Sequence, residues 1–305
     1  MVIRVGTRGS ALALWQAQHV RGRLEALGHE VTLVPITTAG DRLLDRRLEL
    51  VGGKGAFLKE IEEALLERAI DLAVHSLKDV PTALPAGLRL VALLERADAR
   101  DALVSANRER LGELRRGAVL GTTSLRRRAQ LLAQRPDLRV EDLRGNVDTR
   151  LRRLREGRFD AIVLALAGLT RLGHAAEAAE VLDVDVLLPA PGQGVIALEC
   201  RADDTAVAAA VAPLDHAPTA RCATAERVFL AALGGGCNLP LGAHAQLDCE
   251  RVRLRALVAR EDGSLTLRGD AEDADPTELG QRVARQLLTN GAAALIARPA
   301  EASGR

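Results

Sequence analysis

Ala118-Val119-Leu120-Gly121-Thr122-Thr123-Ser124-Leu125 and Arg4-Val5-Gly6-Thr7-Arg8-Gly9-Ser10-Ala11-Leu12 are two versions of one pattern. Each runs from a strand into Gly-Thr, through a short polar turn, to a serine suited to cap a helix. Two such units predict two similar α/β halves. In the first, Val2–Val5 reads as a strand. A helix follows from Ser10, with Leu12, Leu14, Trp15, Val20, Leu24 and Leu27 apolar, and stops at Gly28. Val31–Ile36 is a second strand, residues 37–55 a polar loop, and residues 56–68 a helix. Asp71–His75 is a short buried strand that cannot continue past Pro81, and Leu88–Leu94 is another. In the second half a helix follows Asn146, and Phe159–Leu166 is a buried strand. Val195–Cys200 is a strand expected to return to the first half. Beyond Pro218 the pattern changes to a helix (220–233), two alternating strands (241–247 and 251–258) and a helix (276–288), a small α+β domain. Ligands of open α/β sheets sit outside the carboxyl ends of strands, near helix N-termini, and the polar motifs fall there.

The 305 residues correspond to about two domains on length alone. Apolar residues make up 48% and charged ones 27%, the balance of a globular protein. A net charge of +1 argues against a dedicated nucleic-acid or membrane-surface protein. The longest apolar run, Ala161–Leu169, is about half the length of a membrane span. The opening Met1-Val2-Ile3-Arg4 leads straight into a strand, so no signal peptide is expected. Cys200, Cys222, Cys237 and Cys249 have no C-x-x-C spacing, and no histidine has ligand spacing. The expectation is a reducing, cytoplasmic setting and no metal site.

Of 42 basic residues only Lys54, Lys59 and Lys78 are lysines. In a chain that drifts toward arginine, these survivors mark sites that need a compact ammonium. Between Arg126 and Arg155 ten arginines face four acids, an excess of +6 in a chain of +1. Arg126 and Arg127 open a helix, where cations oppose the dipole unless an anion lies among them. With Arg8, Arg144 and Arg150 they are candidate carboxylate or phosphate forks. Arg128, Arg135, Arg139, Arg152, Arg153 and Arg155 read as solvated helix faces. Asp79, between Lys78 and Pro81, is either a turn residue or a carboxylate placed to stabilise a cation or move a proton. Cys237 follows three glycines, which exposes its thiol, and reads as a nucleophile or attachment point.

These motifs, with Gly52-Gly53-Lys54-Gly55-Ala56-Phe57, His75-Ser76-Leu77-Lys78-Asp79-Val80-Pro81, Leu143-Arg144-Gly145-Asn146, Pro191-Gly192-Gln193-Gly194, Glu226-Arg227 and Gly235-Gly236-Cys237-Asn238-Leu239-Pro240, resemble the porphobilinogen deaminase (hydroxymethylbilane synthase) family. The matches run in order from residue 7 to residue 242, and the departures are small: Ala56, Val195 and Arg153 stand where Leu, Ala and Lys are usual. The resemblance implies an α/β fold of two periplasmic-binding-protein-like domains plus a small α+β C-terminal domain. The implied division is 1–95 with 194–214, then 96–193, then 215–305. It implies head-to-tail condensation of four porphobilinogen molecules, ammonia lost each time, on a dipyrromethane cofactor joined by thioether to Cys237. Water then releases hydroxymethylbilane. Asp79 would be catalytic, assisted by Lys78. Arg8, Ser10, Lys78, Thr122, Ser124, Arg126, Arg127, Arg144, Arg150 and Arg171 would hold cofactor and substrate carboxylates. Lys54 and Lys59 would lie on a lid. The partners implied are porphobilinogen and the growing polypyrrole chain, with no nucleic acid or membrane, and a monomer. A non-catalytic two-lobed anion-binding protein would explain the two halves and the arginines but not Cys237. A single-strand nucleic-acid binder needs stacking aromatics, and aromatics are 1% of this chain.

Overall fold

The computed structural model describes residues 1–38, 58–235 and 239–296. The first half opens with strand β1 (Val2–Arg8), helix α1 (Ala11–Ala26) and strand β2 (Glu30–Ile36). Ser10 caps α1, its hydroxyl accepting from the Ala13 N–H at 3.4 Å. Helix α2 (Lys59–Leu66), strand β3 (Leu72–Ser76), a 3-10 turn (Leu77–Asp79) and strand β4 (Leu88–Leu93) follow. The second half holds β5 (Asp101–Ser105), β6 (Val119–Gly121), α3 (Leu125–Gln134) and β7 (Arg139–Glu141). It continues through α4 (Val147–Arg155), β8 (Ala161–Ala165), α5 (Leu166–Arg171) and β9 (Glu180–Leu182). The chain then passes through β10 (Ile196–Arg201), α6 (Thr205–Val211) and α7 (Ala217–Ala232). It closes with β11 (Leu241–Asp248), β12 (Arg251–Ala259), β13 (Thr266–Asp273), α8 (Pro276–Thr289) and the short α9 (Ala292–Ile296).

The repeated pattern becomes a repeated sheet. One has the order β2-β1-β3-β10-β4 and the other β7-β6-β8-β5-β9. In each, the first two strands and the third run parallel, and the fourth is antiparallel to its neighbours. That fourth strand is the first one laid down after the chain crosses between lobes. β5 follows β4 into the second sheet, and β10 returns to the first as expected, pairing antiparallel with β3 so that Leu198 lies opposite Val74. The central strands β3, β5, β8 and β10 are buried almost throughout, as strands covered on both faces must be. The third unit packs α7 and α8 on the antiparallel sheet β11-β12-β13, with Phe229 fully buried in its core. The class is therefore α/β with two like lobes and a small α+β unit.

Glu226 on α7 joins all three parts. It is fully buried, takes a bidentate pair from Arg96 at 2.8 and 2.6 Å, and accepts the Gly192 and Ala245 N–H groups at 2.7 Å each. Arg96 and Gly192 belong to the two crossings. Removing the charge leaves the Arg96 guanidinium buried without a counterion, a cost of about 3–5 kcal/mol. Glu226→Gln is therefore expected to lower the unfolding free energy by that amount in urea titration; an unchanged midpoint would mean the pair adds nothing.

The patterns read from the sequence do not include β5, β7, β9, α5, α6, β13 or the terminal helix α9, and the strand expected to run to Leu166 ends at Ala165, with α5 starting at Leu166. β13 is an edge strand whose Arg268, Asp270 and Glu272 blunt its open side, so it carries little apolar alternation. β7 and β9 are each only three residues long. Arg128, Arg135 and Arg153 are not simply solvated: each donates to backbone carbonyls, Arg135 to those of Leu111 and Leu114.

Candidate active site: a cleft at the lobe junction

A cleft of about 670 Å³ is lined from all three units. One wall is the segment from Lys78 to Pro85, after β3. The facing wall is Thr123, Ser124, Arg126, Arg127 and Arg150. Ala190, Pro191 and Gln193 come from the returning crossing, and Leu230, Gly235, Leu239 and Leu241 from the third unit. The volume is that of a small-molecule site.

Asp79 sits exposed at the end of the 3-10 turn that terminates β3. The turn is built by other groups. The Leu77 N–H donates to Val195 O and the Val80 N–H to Leu77 O, both at 3.0 Å. Arg227 on α7 clamps the exit through Val80 O at 3.0 Å and Pro81 O at 2.7 Å. Asp79 is thus held in place without its carboxylate serving the fold. Burial pulls Lys78 down to about 8, opposed by Asp79 and assisted by the cationic Arg127. It is the cleft cation closest to titrating near neutral pH. Glu62, also on the cleft wall, is pushed up by burial and by Glu199. Behind it His75 Nε2 and Glu199 Oε2 are 2.9 Å apart, both buried.

Across the cleft, Ser124 caps α3, accepting from the Arg127 N–H at 3.4 Å. This delivers Arg126 and Arg127 to the helix N-terminus, where both are 5% exposed. The anion opposing them is internal: Asp101 at the start of β5. Arg126 reaches its Oδ2 at 2.8 Å and Arg127 its Oδ1 at 2.7 Å. Gln193 donates to Asp101 Oδ1 at 3.0 Å and to Ala99 O at 2.6 Å. The two guanidiniums hold the Asp101 carboxyl far below the usual carboxylate range. Arg127 Nε is buried with no partner among the described residues. Sequence reasoning missed Asp101. Its signal was an acid opening the apolar run Asp101-Ala102-Leu103-Val104, which is out of place unless a cation meets it.

Arg150 joins the same wall, its Nε donating to Gly145 O at 2.7 Å; burial brings it down to about 10. The remaining expected ligands do not line this cleft. Ser10 caps α1, and Arg8 lies half-buried where β1 ends. The Thr122 hydroxyl accepts from the Ser124 N–H at 3.1 Å, so it braces the turn. Arg144 lies 3.8 Å from Asp142. Arg171 bridges the lobes, donating to Gly194 O at 2.7 Å with its guanidinium carbon 5.7 Å from the Trp15 ring centre. Lys59 pairs with Glu63 on the exposed face of α2. Lys54 and Cys237 lie outside the described residues. On either side of Cys237, Gly235 and Leu239 line the cleft. Gly235 has φ of 45°, and a Cβ there would lie 2.6 Å from Thr82 Oγ1, so glycine is what lets the backbone at 235 approach Thr82 so closely.

Residues 3–209 match the family profile described as porphobilinogen deaminase, dipyromethane cofactor binding domain. Residues 220–289 match porphobilinogen deaminase, C-terminal domain. Relatives from two strains of Acidithiobacillus ferrooxidans, both named porphobilinogen deaminase, are each 51% identical over 296 residues, which is 96% of this chain and 97% of theirs. Among solved structures, the periplasmic VFT2 domain of Bordetella pertussis BvgS aligns at 16% identity and a TM-score of 0.42, over 69% of this chain and 85% of its own.

Proposed function

The chain belongs to the porphobilinogen deaminase family, and we propose from that premise how its cleft carries out the family's condensation. Four porphobilinogen molecules are joined head to tail with loss of ammonia to give hydroxymethylbilane. The dipyrromethane cofactor, when bound, supplies the terminal pyrrole carbon on which the chain grows. The cleft suits that group: Lys78, Arg126, Arg127 and Arg150 offer cations to its carboxylates, Arg127 Nε is a buried donor with no partner among the described residues, and Gly235 and Leu239, which flank Cys237 in the sequence, line the cleft wall. Cys237 is the attachment residue in this reading. The domain division that goes with it is 1–95 with 194–214, then 96–193, then 215–305, which follows sheet membership. A monomeric cytoplasmic enzyme fits a cleft built wholly from one chain, in which no described helix is long and apolar enough to cross a membrane.

Each pyrrole carries two carboxylates, held by Lys78 and by the guanidinium N–H groups that Asp101 and the backbone carbonyls leave over. The substrate's aminomethyl group leaves from its protonated form: when the C–N bond breaks, the electron pair goes with nitrogen, neutral ammonia departs and the methylene carbon becomes cationic. Asp79 stabilises that cation by accepting a hydrogen bond from the pyrrole N–H, and it is the base placed to take the proton that the attacking pyrrole carbon gives up once the new C–C bond has formed, roles open to it because the turn does not use its carboxylate. The observation that carries the reading is this pairing of one exposed carboxylate with a wall of cations in a cleft that Gly235 and Leu239, the described residues on either side of Cys237 in the sequence, also line. Its test is incubation of the purified protein with porphobilinogen. Hydroxymethylbilane should appear with one ammonia released per substrate consumed; substrate binding with no ammonia would favour the anion-binding alternative.

Lys78 gives a pH prediction. Its lowered value means the binding, protonated form is complete well below pH 8 and lost as pH rises through about 8. kcat/KM is therefore expected to fall about tenfold per pH unit above that point. Lys78→Arg should abolish this alkaline limb, since arginine does not titrate there, while lowering activity strongly because a longer planar fork beside Asp79 disturbs the placement of the bound carboxylates. Arg153→Lys, which alters only a donor to Arg144 O, should change little. An unchanged alkaline limb in Lys78→Arg would remove Lys78 from the binding step.

A further inference from the structure

Arg126 and Arg127 meet any ligand already engaged. Asp101 spans them, one oxygen to each guanidinium, so two positive charges are held against one negative and the cluster presents +1, not +2. Asp101 also sits where the chain crosses between lobes. It opens β5 on the outgoing crossing, and Gln193 on the returning crossing donates both to Asp101 and to Ala99 O. Arg126 donates further to Leu188 O at 2.8 Å and Arg127 to Val163 O at 2.9 Å, so neither fork can turn away from Asp101 without giving up a backbone partner. The groups facing this cluster across the cleft are Lys78 and Asp79, with Arg150 beside it.

The reaction sets a conflicting demand on such a site. It must hold polyanionic pyrroles, yet release them repeatedly so that the lengthening chain can move along. A bare pair of buried guanidiniums would bind carboxylate too tightly for that. We propose that Asp101 is a positioning residue for the condensation: a built-in carboxylate that fixes both forks and halves the net charge they present, keeping each pyrrole carboxylate bound loosely enough to be passed on. A substrate carboxylate shares the forks with Asp101 instead of claiming them outright. Since Asp101 lies on one crossing and is bonded to Gln193 on the other, the sharing takes place where the lobes are joined.

This inference rests on the deaminase reading, and the experiment separates the two. The parent is first treated with limiting porphobilinogen and its enzyme-bound intermediates are counted by intact mass; a parent that carries no pyrrole adduct sinks the reading itself. Asp101→Asn keeps the side-chain shape but leaves the cluster at +2. It is expected to lower KM by at least about threefold at low salt, lower kcat about tenfold, and pile up bound intermediates. A purely structural role would reduce kcat with the folded fraction while leaving KM and the intermediate pattern alone, and that result would overturn the proposal. Should Asp101→Asn not fold, the charge-balanced pair decides. Arg126→Gln alone takes the cluster to zero and should raise KM about tenfold or more. Adding Asp101→Asn to it restores +1 and should recover at least about threefold of that loss. A double variant no better than Arg126→Gln alone would make Asp101 a mere ion-pair partner.

Discussion

Asp79→Asn is expected to slow ammonia release by about 10²–10³-fold while leaving substrate binding close to normal. Asparagine preserves the shape and removes only the charge that faces the substrate cation. Preorganised electrostatic groups of this kind contribute roughly 3–4 kcal/mol to the transition state. The fold should not register the change. The turn is held by Leu77, Val80 and the Arg227 clamp, and Asp79 itself is exposed. The arginine wall lies on the other side of the cleft, so ground-state carboxylate binding is untouched and the loss belongs in kcat. Glutamate at 79 keeps the charge but moves it, and should retain more activity than asparagine. The measurement is single-turnover ammonia release from holoenzyme. Release at the parent rate would make Asp79 a turn residue and send the search for the stabilising carboxylate elsewhere in the cleft, with Glu62 next in line.

Much of this arrangement was legible in the chain. The doubled Gly-Thr-turn-Ser pattern gave two lobes because backbone geometry and a capping serine are local properties, and the sheets repeat the same strand order. Ser10, Ser124 and Asn146 all cap helices as local chemistry demands. Asp79 and Lys78 could be singled out since they end a buried strand, and Arg126, Arg127 and Arg150 since cations near a helix start call for an anion. What the sequence could not reveal was which anion. Asp101 lies 25 residues from Arg126, and only the antiparallel pairing of β5 with β8 brings it to the arginines. Likewise Glu226 and Arg227 stood out as a motif, but that one holds Arg96 and the other the Asp79 turn depends on where α7 docks. Short strands such as β7, and an edge strand as charged as β13, carry too little periodicity to be read before their partners are known.

Cys237→Ser should eliminate the covalent adduct and, with it, essentially all turnover. A thioether needs a sulfur nucleophile, and serine's hydroxyl is far less nucleophilic near neutral pH. The other three cysteines are unsuited to the task. Cys200 and Cys222 are buried, and burial pushes both thiols up, away from the reactive thiolate. Cys249 is exposed but turns the hairpin between β11 and β12. It lies at the far end of β11 from the cleft-lining Leu241, roughly 23 Å away along the strand. Serine at any of these three should leave adduct and activity in place.

The most direct test of the whole account is therefore the intact mass of the purified protein. The prediction is a chain heavier than its sequence by two linked pyrrole units, with that added mass confined on proteolysis to the peptide containing Cys237 and missing from Cys237→Ser. A purified, catalytically active protein whose mass equals that of the bare chain, or an adduct that persists in Cys237→Ser, would contradict it.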